Sequence, residues 1–145
     1  MNRKKYQQHP NYRTALRNEH FYEILLNGDD RYHFWEWMLT VLFYTSLHYI
    51  KAFLAIKHHL PPGRIDSHRG IQKELHRLKK QGHLPKKILT QYEQFKNHSE
   101  LARYHYLENY SDFNDDEFVK FVRNSCYKKY ILIREYVLQE LQNTP

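Results

Sequence analysis

Two apolar faces on a single helical stretch constrain this chain more than any other feature. Trp35, Met38, Leu39, Leu42, Ser46, Tyr49, Ile50 and Phe53 recur at helical spacing. Trp37, Val41, Tyr44, His48, Ala52 and Ala55 make a second face that is nearly as apolar. A helix apolar on two sides must be packed on two sides, so this segment is the central element. It reads as a buried core helix and not as a membrane span. Glu36, His48 and Lys51 interrupt it, and the neutral run from Trp37 to Leu47 falls short of the roughly 20 residues that a span requires.

The remaining segments also read as helices. Residues 11–26 carry Leu16, Phe21, Ile24 and Leu25 at helical spacing and end at Asn27-Gly28, a C-cap signal. Asp29 or Asp30 then caps the central helix, which is expected to reach about His59. Pro61-Pro62-Gly63 breaks the chain, and Ser67 is the N-cap of a shorter third helix to about Gln81, followed by Gly82 and Pro85. The fourth helix, residues 86–110, presents Ile88, Tyr92, Phe95, Ser99, Ala102 and Tyr106 on one side, where Ser99 and Ala102 admit a close neighbour. Ser111-Asp112 and Asn114-Asp115-Asp116-Glu117 form a turn and an acidic first helical turn. The last helix aligns Phe118, Val122, Cys126, Tyr130, Ile133, Val137 and Leu141.

β-type alternation is nearly absent, and neither a repeat nor a linker interrupts the pattern. The expectation is one all-α domain over residues 1–145, an antiparallel bundle of four long helices plus one short helix, with residues 1–10 flexible.

One cysteine, Cys126, cannot close an internal disulfide, and no apolar stretch follows the basic start MNRKKYQQHP. Both point to a reducing cytoplasm. Of the chain's formal charge of +7, residues 64–87 hold +6: Arg64, Arg69, Lys73, Arg77, Lys79, Lys80, Lys86 and Lys87 face only Asp66 and Glu74. His68, His76 and His83 lie in the same stretch. A basic patch confined to one connector suggests a polyanionic partner, whether RNA, DNA, a nucleotide or an acidic protein. The alternative is a solvated face that keeps the protein in solution.

Eleven histidines invite a metal site, but the chain has no HExxH and no cysteine pair. His58 and His59 are adjacent and point to different helix faces, while His98 and His105 share a face, as many surface pairs do. Cys126 sits in an apolar stripe, where cysteine behaves as a small hydrophobe. Gly63, Gly70 and Gly82 are isolated, so no glycine-rich phosphate loop exists. The sequence calls for no metal and no other cofactor.

Polar groups placed among apolar ones are more telling. Tyr44 and His48 lie one turn apart on the central helix, and Arg103 and Tyr104 lie beside the small residues of the fourth. They are either an internal Tyr44–His48–Arg103 network that pins helix register or a pocket where the guanidinium meets phosphate and histidine handles a proton. Ser67-His68-Arg69-Gly70 opens the third helix, and its free N–H groups with Arg69, Lys73 and Arg77 make an anion site or simply a capped helix with exposed bases. Tyr12, Tyr104, Tyr106 and Tyr110 can stack bases, although tyrosines in a small core mostly pack.

FYTSLHYIKAFLAIKHHLPP, SHRGIQKEL and YEQFKNHSELARY, taken in order, resemble the HEPN superfamily (higher eukaryotes and prokaryotes nucleotide-binding domain) in its small prokaryotic stand-alone form. The resemblance covers residues 35–106. It implies a helical bundle, commonly dimeric, from toxin–antitoxin, anti-phage and other RNA-directed systems, in which many members are metal-independent ribonucleases. Their site is an Arg-x4–6-His motif late in a bundle helix, in which arginine would hold the scissile phosphate and histidine would activate the ribose 2′-hydroxyl. This chain departs from that pattern. Arg103 is near the expected place, yet the last histidine is His105; Arg13-x6-His20 and Arg77-x5-His83 fit by count alone.

The resulting expectation is an RNA- or nucleotide-binding homodimer of a defence or toxin–antitoxin system. Its basic surface would be Arg69, Lys73, Arg77, Lys79, Lys80, Lys86 and Lys87, and its polar pocket Tyr44, His48, Arg103 and Tyr104. Two alternatives stay open. One is a ribonuclease toxin with a rearranged site drawn from His48, His68, Arg69 and Arg103; the other is a non-catalytic bundle that docks an acidic antitoxin or companion protein.

Overall fold

The most apolar segment folds as one long helix, and the rest of the chain is arranged around it. The computed structural model describes residues 4–104 and 116–145. Among these the fold is all-α, with no strand. The central helix, α2 (Trp35–Lys57), is flanked by α1 (Pro10–Asn27), α3 (His68–Lys80) and α4 (Lys86–Tyr104). A short α5 (Asp116–Lys120) continues through a π-helical turn (Phe121–Cys126) into α6 (Tyr127–Gln142). α2 packs against α1, α4 and α6, whereas α3 rests on α4. All these elements share one contiguous core.

Every residue of the first α2 stripe, Trp35 to Phe53, is buried. The second face is only partly covered: Ala52 is buried, Val41, Tyr44, His48 and Ala55 are half-buried, and Trp37 stands 60% exposed. By length and hydropathy alone α2 could cross a bilayer, but two thirds of its most apolar window is buried by its neighbours. Its start differs from the expectation. Asp29 caps a 3₁₀ turn (Asp30–Tyr32), accepting from the Arg31 N–H at 2.9 Å, and α2 itself begins after Phe34 with no side-chain cap. It ends at Lys57, two residues early, because His59 turns to a left-handed φ of 55°.

α1 turns the opposite face inward from the one its apolar residues suggest. Tyr12, Ala15 and Tyr22 are buried, whereas Leu16, Phe21 and Ile24 are exposed. The reason is polar. Glu19 Oε2 accepts from the Tyr49 hydroxyl at 2.9 Å and from Arg134 Nε at 2.8 Å, and it also accepts from the Tyr130 hydroxyl. One carboxylate thus ties α1 to α2 and α6, and three donors left unpaired in the core would cost more than three exposed apolar side chains. Burial works to raise the Glu19 carboxyl, but the three hydrogen bonds and the Arg134 charge outweigh it and hold the group below the usual carboxylate value. Ahead of α1 a 3₁₀ turn spans Lys5–Gln8, with Tyr6 buried edge-on against Tyr12 (5.2 Å).

In the last helix Phe118, Val122, Cys126 and Tyr130 recur every fourth residue, and all are buried. At 3.6 residues per turn such spacing walks off the core by about 40° per step. The π-helical turn absorbs the surplus by widening the coil, so both halves keep facing inward. Cys126 is fully buried there, and burial pushes its thiol up to about 12, which removes it as a nucleophile.

Candidate anion-binding groove

α3 is strongly amphipathic. Ile71, Leu75 and Leu78 face the core, while Arg69, Lys73, Lys79 and Lys80 face outward. Ser67 caps it as expected, its Oγ accepting from the Gly70 N–H at 3.0 Å. Gly70 is required by crowding: a Cβ there would lie 2.7 Å from the Arg64 carbonyl oxygen.

Between α3 and α4 runs a groove of about 810 Å³. Arg69, Lys73, Arg77 and Lys80 of the expected basic surface line it, together with His68, Arg64 and Lys96. Lys79, Lys86 and Lys87 are exposed but lie outside that lining. Its floor holds a carboxylate only 3% exposed, Glu74. Glu74 Oε1 accepts from Arg64 Nη2 at 2.7 Å, and its Oε2 accepts from Arg77 Nε at 2.7 Å. Burial opposes ionisation of Glu74, yet Arg77 and Arg64 keep it below its ordinary value, so the carboxylate stays ionised and the trio carries a net charge of +1. Arg77 also donates from Nη1 to Gln81 at 3.1 Å, which fixes it as scaffold as well as lining. α4 contributes Lys96 to the lining, which pairs with Glu100 at 3.0 Å, and Glu93 of α4 pairs with His76 Nε2 at 3.0 Å.

At one end of this groove the structure brings together Tyr44, His68 and Arg103, from α2, α3 and α4. The His68 ring lies nearly parallel to Phe43 (6.1 Å, 25°) and edge-on to Tyr44 (6.3 Å). Its Nδ1 is sealed from solvent with no hydrogen-bond partner. Burial lowers the His68 pKa, and the Lys96, Arg103 and Lys51 charges push the same way against Glu100, so its neutral form is favoured. Arg103 places Cζ 5.3 Å from the Tyr44 ring centre and donates from Nη1 to Ser99 Oγ at 3.0 Å.

His48 goes elsewhere. Its Nδ1 lies 2.9 Å from Asn11 Oδ1 on α1, so the imidazole donates there, and burial followed by the Lys51 charge favours its neutral form. The Tyr44–His48–Arg103 chain is therefore replaced by two separate pairs from the same face of α2, Tyr44 with Arg103 of α4 and His48 with Asn11 of α1. Tyr12 packs against Tyr6 and Tyr49 as a core residue. The Tyr104 side chain, with His105, Tyr106 and Tyr110, lies outside the described residues. Of the Arg–His spacings, His20 is largely exposed beside Glu23, and the His83 ring lies 6.3 Å from that of His58. Among the described residues no three His, Cys, Asp or Glu side chains gather as a metal site would require.

Lys96 is the lining cation that the sequence reading passed over. Its spacing of seven from Arg103, with Ser99 between, places all three on one face of α4, and that was the available signal. Comparison of the chain with family models, with curated proteins and with solved structures gives no match.

Proposed function

We propose that this chain is a HEPN-like RNA- or nucleotide-binding protein of a prokaryotic defence or toxin–antitoxin system, without the standard ribonuclease motif late in a bundle helix. In this reading it is an antiparallel bundle of four long helices and a short one that acts in the cytoplasm as a homodimer. The observation that carries the reading is the groove itself: its cations are outward-facing, while its floor carboxylate is already neutralised by Arg64 and Arg77. A phosphate chain laid along Arg69, Lys73 and Lys80 meets a row of positive side chains about 16 Å long, from the helical rise over those residues. The exposed Trp37 and Phe34 at the start of α2 supply an apolar surface for a second copy or a cognate antitoxin.

The test is binding of single-stranded RNA and of nucleotides at two salt concentrations. Affinity is expected to fall with salt, and Arg69→Ala with Lys73→Ala to flatten that slope by about two. Affinity indifferent to salt, or unchanged in the double variant, rules the groove out as a phosphate-contacting surface.

A second reading, a ribonuclease with a rearranged site, draws on one observation: the His68 ring and the Arg103 guanidinium both pack on Tyr44, and burial favours the neutral form of His68. Neutral imidazole can take a proton while guanidinium holds phosphate. Growth arrest by the wild type that is lost in Arg103→Ala supports it; equal harmlessness of both in a host with the right targets ends it.

A further inference from the structure

We infer that Arg64 and Arg77, held together by Glu74 on the groove floor, form a preset two-arginine seat for one internucleotide phosphodiester, with Glu74 as its positioning residue. This rests on the reading of the groove as phosphate-binding and adds where along it one phosphate is held, and by which groups.

A carboxylate sealed at the base of an open groove is rare unless it is paired, and Glu74 is paired twice. Its Oε1 accepts from Arg64 Nε at 3.0 Å and Nη2 at 2.7 Å, and its Oε2 accepts from Arg77 Nε at 2.7 Å. One buried group thus holds two guanidiniums, like charges that would separate without it. Each arginine is also fixed from elsewhere. Arg77 donates from Nη1 to Gln81 one turn on. Arg64 closes the 3₁₀ turn Pro62–Arg64, and its carbonyl oxygen lies so near Gly70 that a Cβ there would meet it at 2.7 Å.

Glu74 occupies only part of either arginine. Both side chains line the groove and stay 51% and 38% exposed, and Arg64 Nη1 and Arg77 Nη2 are left for a ligand. Two guanidiniums and one carboxylate leave a single positive charge, held in place. A phosphodiester brings one negative charge and two terminal oxygens, one for each fork. It therefore balances the trio and repeats from the open side the arrangement that Glu74 makes from beneath. Because both forks are ordered before the ligand arrives, little side-chain freedom is lost on binding. Arg69, Lys73 and Lys80 on the same helix remain for neighbouring phosphates.

The experiment measures binding of a short oligouridylate, at two salt concentrations, to wild type, Arg64→Lys, Arg77→Lys and Glu74→Gln. Each lysine variant keeps the charge and loses the fork, so affinity is expected to fall about tenfold while the salt slope stays that of the wild type. Glu74→Gln adds a net positive charge, which by simple attraction would tighten binding. With the two guanidiniums no longer held, it is expected to weaken binding instead. As a check free of folding effects, the Arg64 and Arg77 Nε–H signals of the wild type, followed by NMR, are expected to shift as the oligouridylate is added. Lysine variants that bind as the wild type does, tighter binding by a folded Glu74→Gln, or Nε–H signals that do not respond overturn the inference while leaving the broader reading intact. Displacement of the RNA by an oligoglutamate of equal charge, as readily as by more oligouridylate, identifies a carboxylate seat for an acidic protein and overturns the phosphodiester assignment. Failure of every RNA and nucleotide to bind overturns both readings.

Discussion

Arg103 is held from two sides, by the Tyr44 ring 5.3 Å from its Cζ and by the Ser99 hydroxyl 3.0 Å from its Nη1. The pair joins the half-buried face of α2 to the last turn of α4. Tyr44→Leu keeps the apolar volume but removes the π-face, and it is expected to lower unfolding stability by about 1 kcal/mol. Arg103→Lys should reproduce much of that loss, because an ammonium lacks the planar guanidinium that both contacts use. Urea denaturation of the two variants measures it; unchanged midpoints would show the contact to be incidental.

Glu19 is the most connected carboxylate in the described core. Glu19→Gln leaves the shape but deprives Tyr49, Tyr130 and Arg134 of their charged acceptor, at an expected cost of about 2 kcal/mol. Its folded pKa lies below the ordinary 4.5, so its contribution is complete above 4.5 and disappears as pH falls through the lowered folded value. Acid titration of wild type and Glu19→Gln should therefore show the wild type losing its advantage below that point. Parallel curves would contradict it.

Five histidines, His9, His48, His58, His68 and His98, are each held below the ordinary value of 6.5, with burial the leading cause in every case. The unfolded chain then binds protons that the folded chain refuses, so stability rises with pH. Acidification from neutral through 6.5 should weaken the fold before the carboxylates begin to titrate. Guanidinium midpoints that stay level between neutral pH and about pH 5 would refute this.

Two glycines near the groove should respond oppositely. Gly70→Ala drives a Cβ to 2.7 Å from the Arg64 carbonyl oxygen, which must move, and an overpacking loss of about 1–3 kcal/mol follows. Gly63→Ala meets nothing within 4 Å and carries no positive φ, so it is expected to be neutral or to gain about 0.4–1 kcal/mol from a stiffer unfolded chain. Thermal melts of both variants separate crowding from chain entropy.

The all-α class was legible in the sequence because α2, α4 and the last helix each present a helically spaced apolar stripe, and the described residues of those stripes are buried as read. Ser67 announced the start of α3 for an equally local reason, a hydroxyl three residues before a glycine N–H. α1 was not legible. Of its expected stripe Leu16, Phe21 and Ile24 lie on the exposed side and only Leu25 packs against the core, and what turns the helix is a carboxylate answering donors more than a hundred residues away, a demand that periodicity cannot register. The meeting of Tyr44, His68 and Arg103 could be anticipated because each is a polar group set beside apolar neighbours. That His48 would choose Asn11 could not, since Asn11 lies at the start of α1, whose inward face had been misjudged.

The widened coil at Phe121–Cys126 has a consequence for the length of the chain. Arg123, Asn124 and Ser125 within it are all exposed. Removing one of them, Asn124 for instance, would let the segment rewind as ordinary α-helix with Phe118 and Val122 still turned toward the interior and Tyr130 brought back to the same side. The last helix thus contains one residue more than its packing uses, and a single-codon deletion, ordinarily ruinous inside a helix, becomes at this position a change that the fold can absorb.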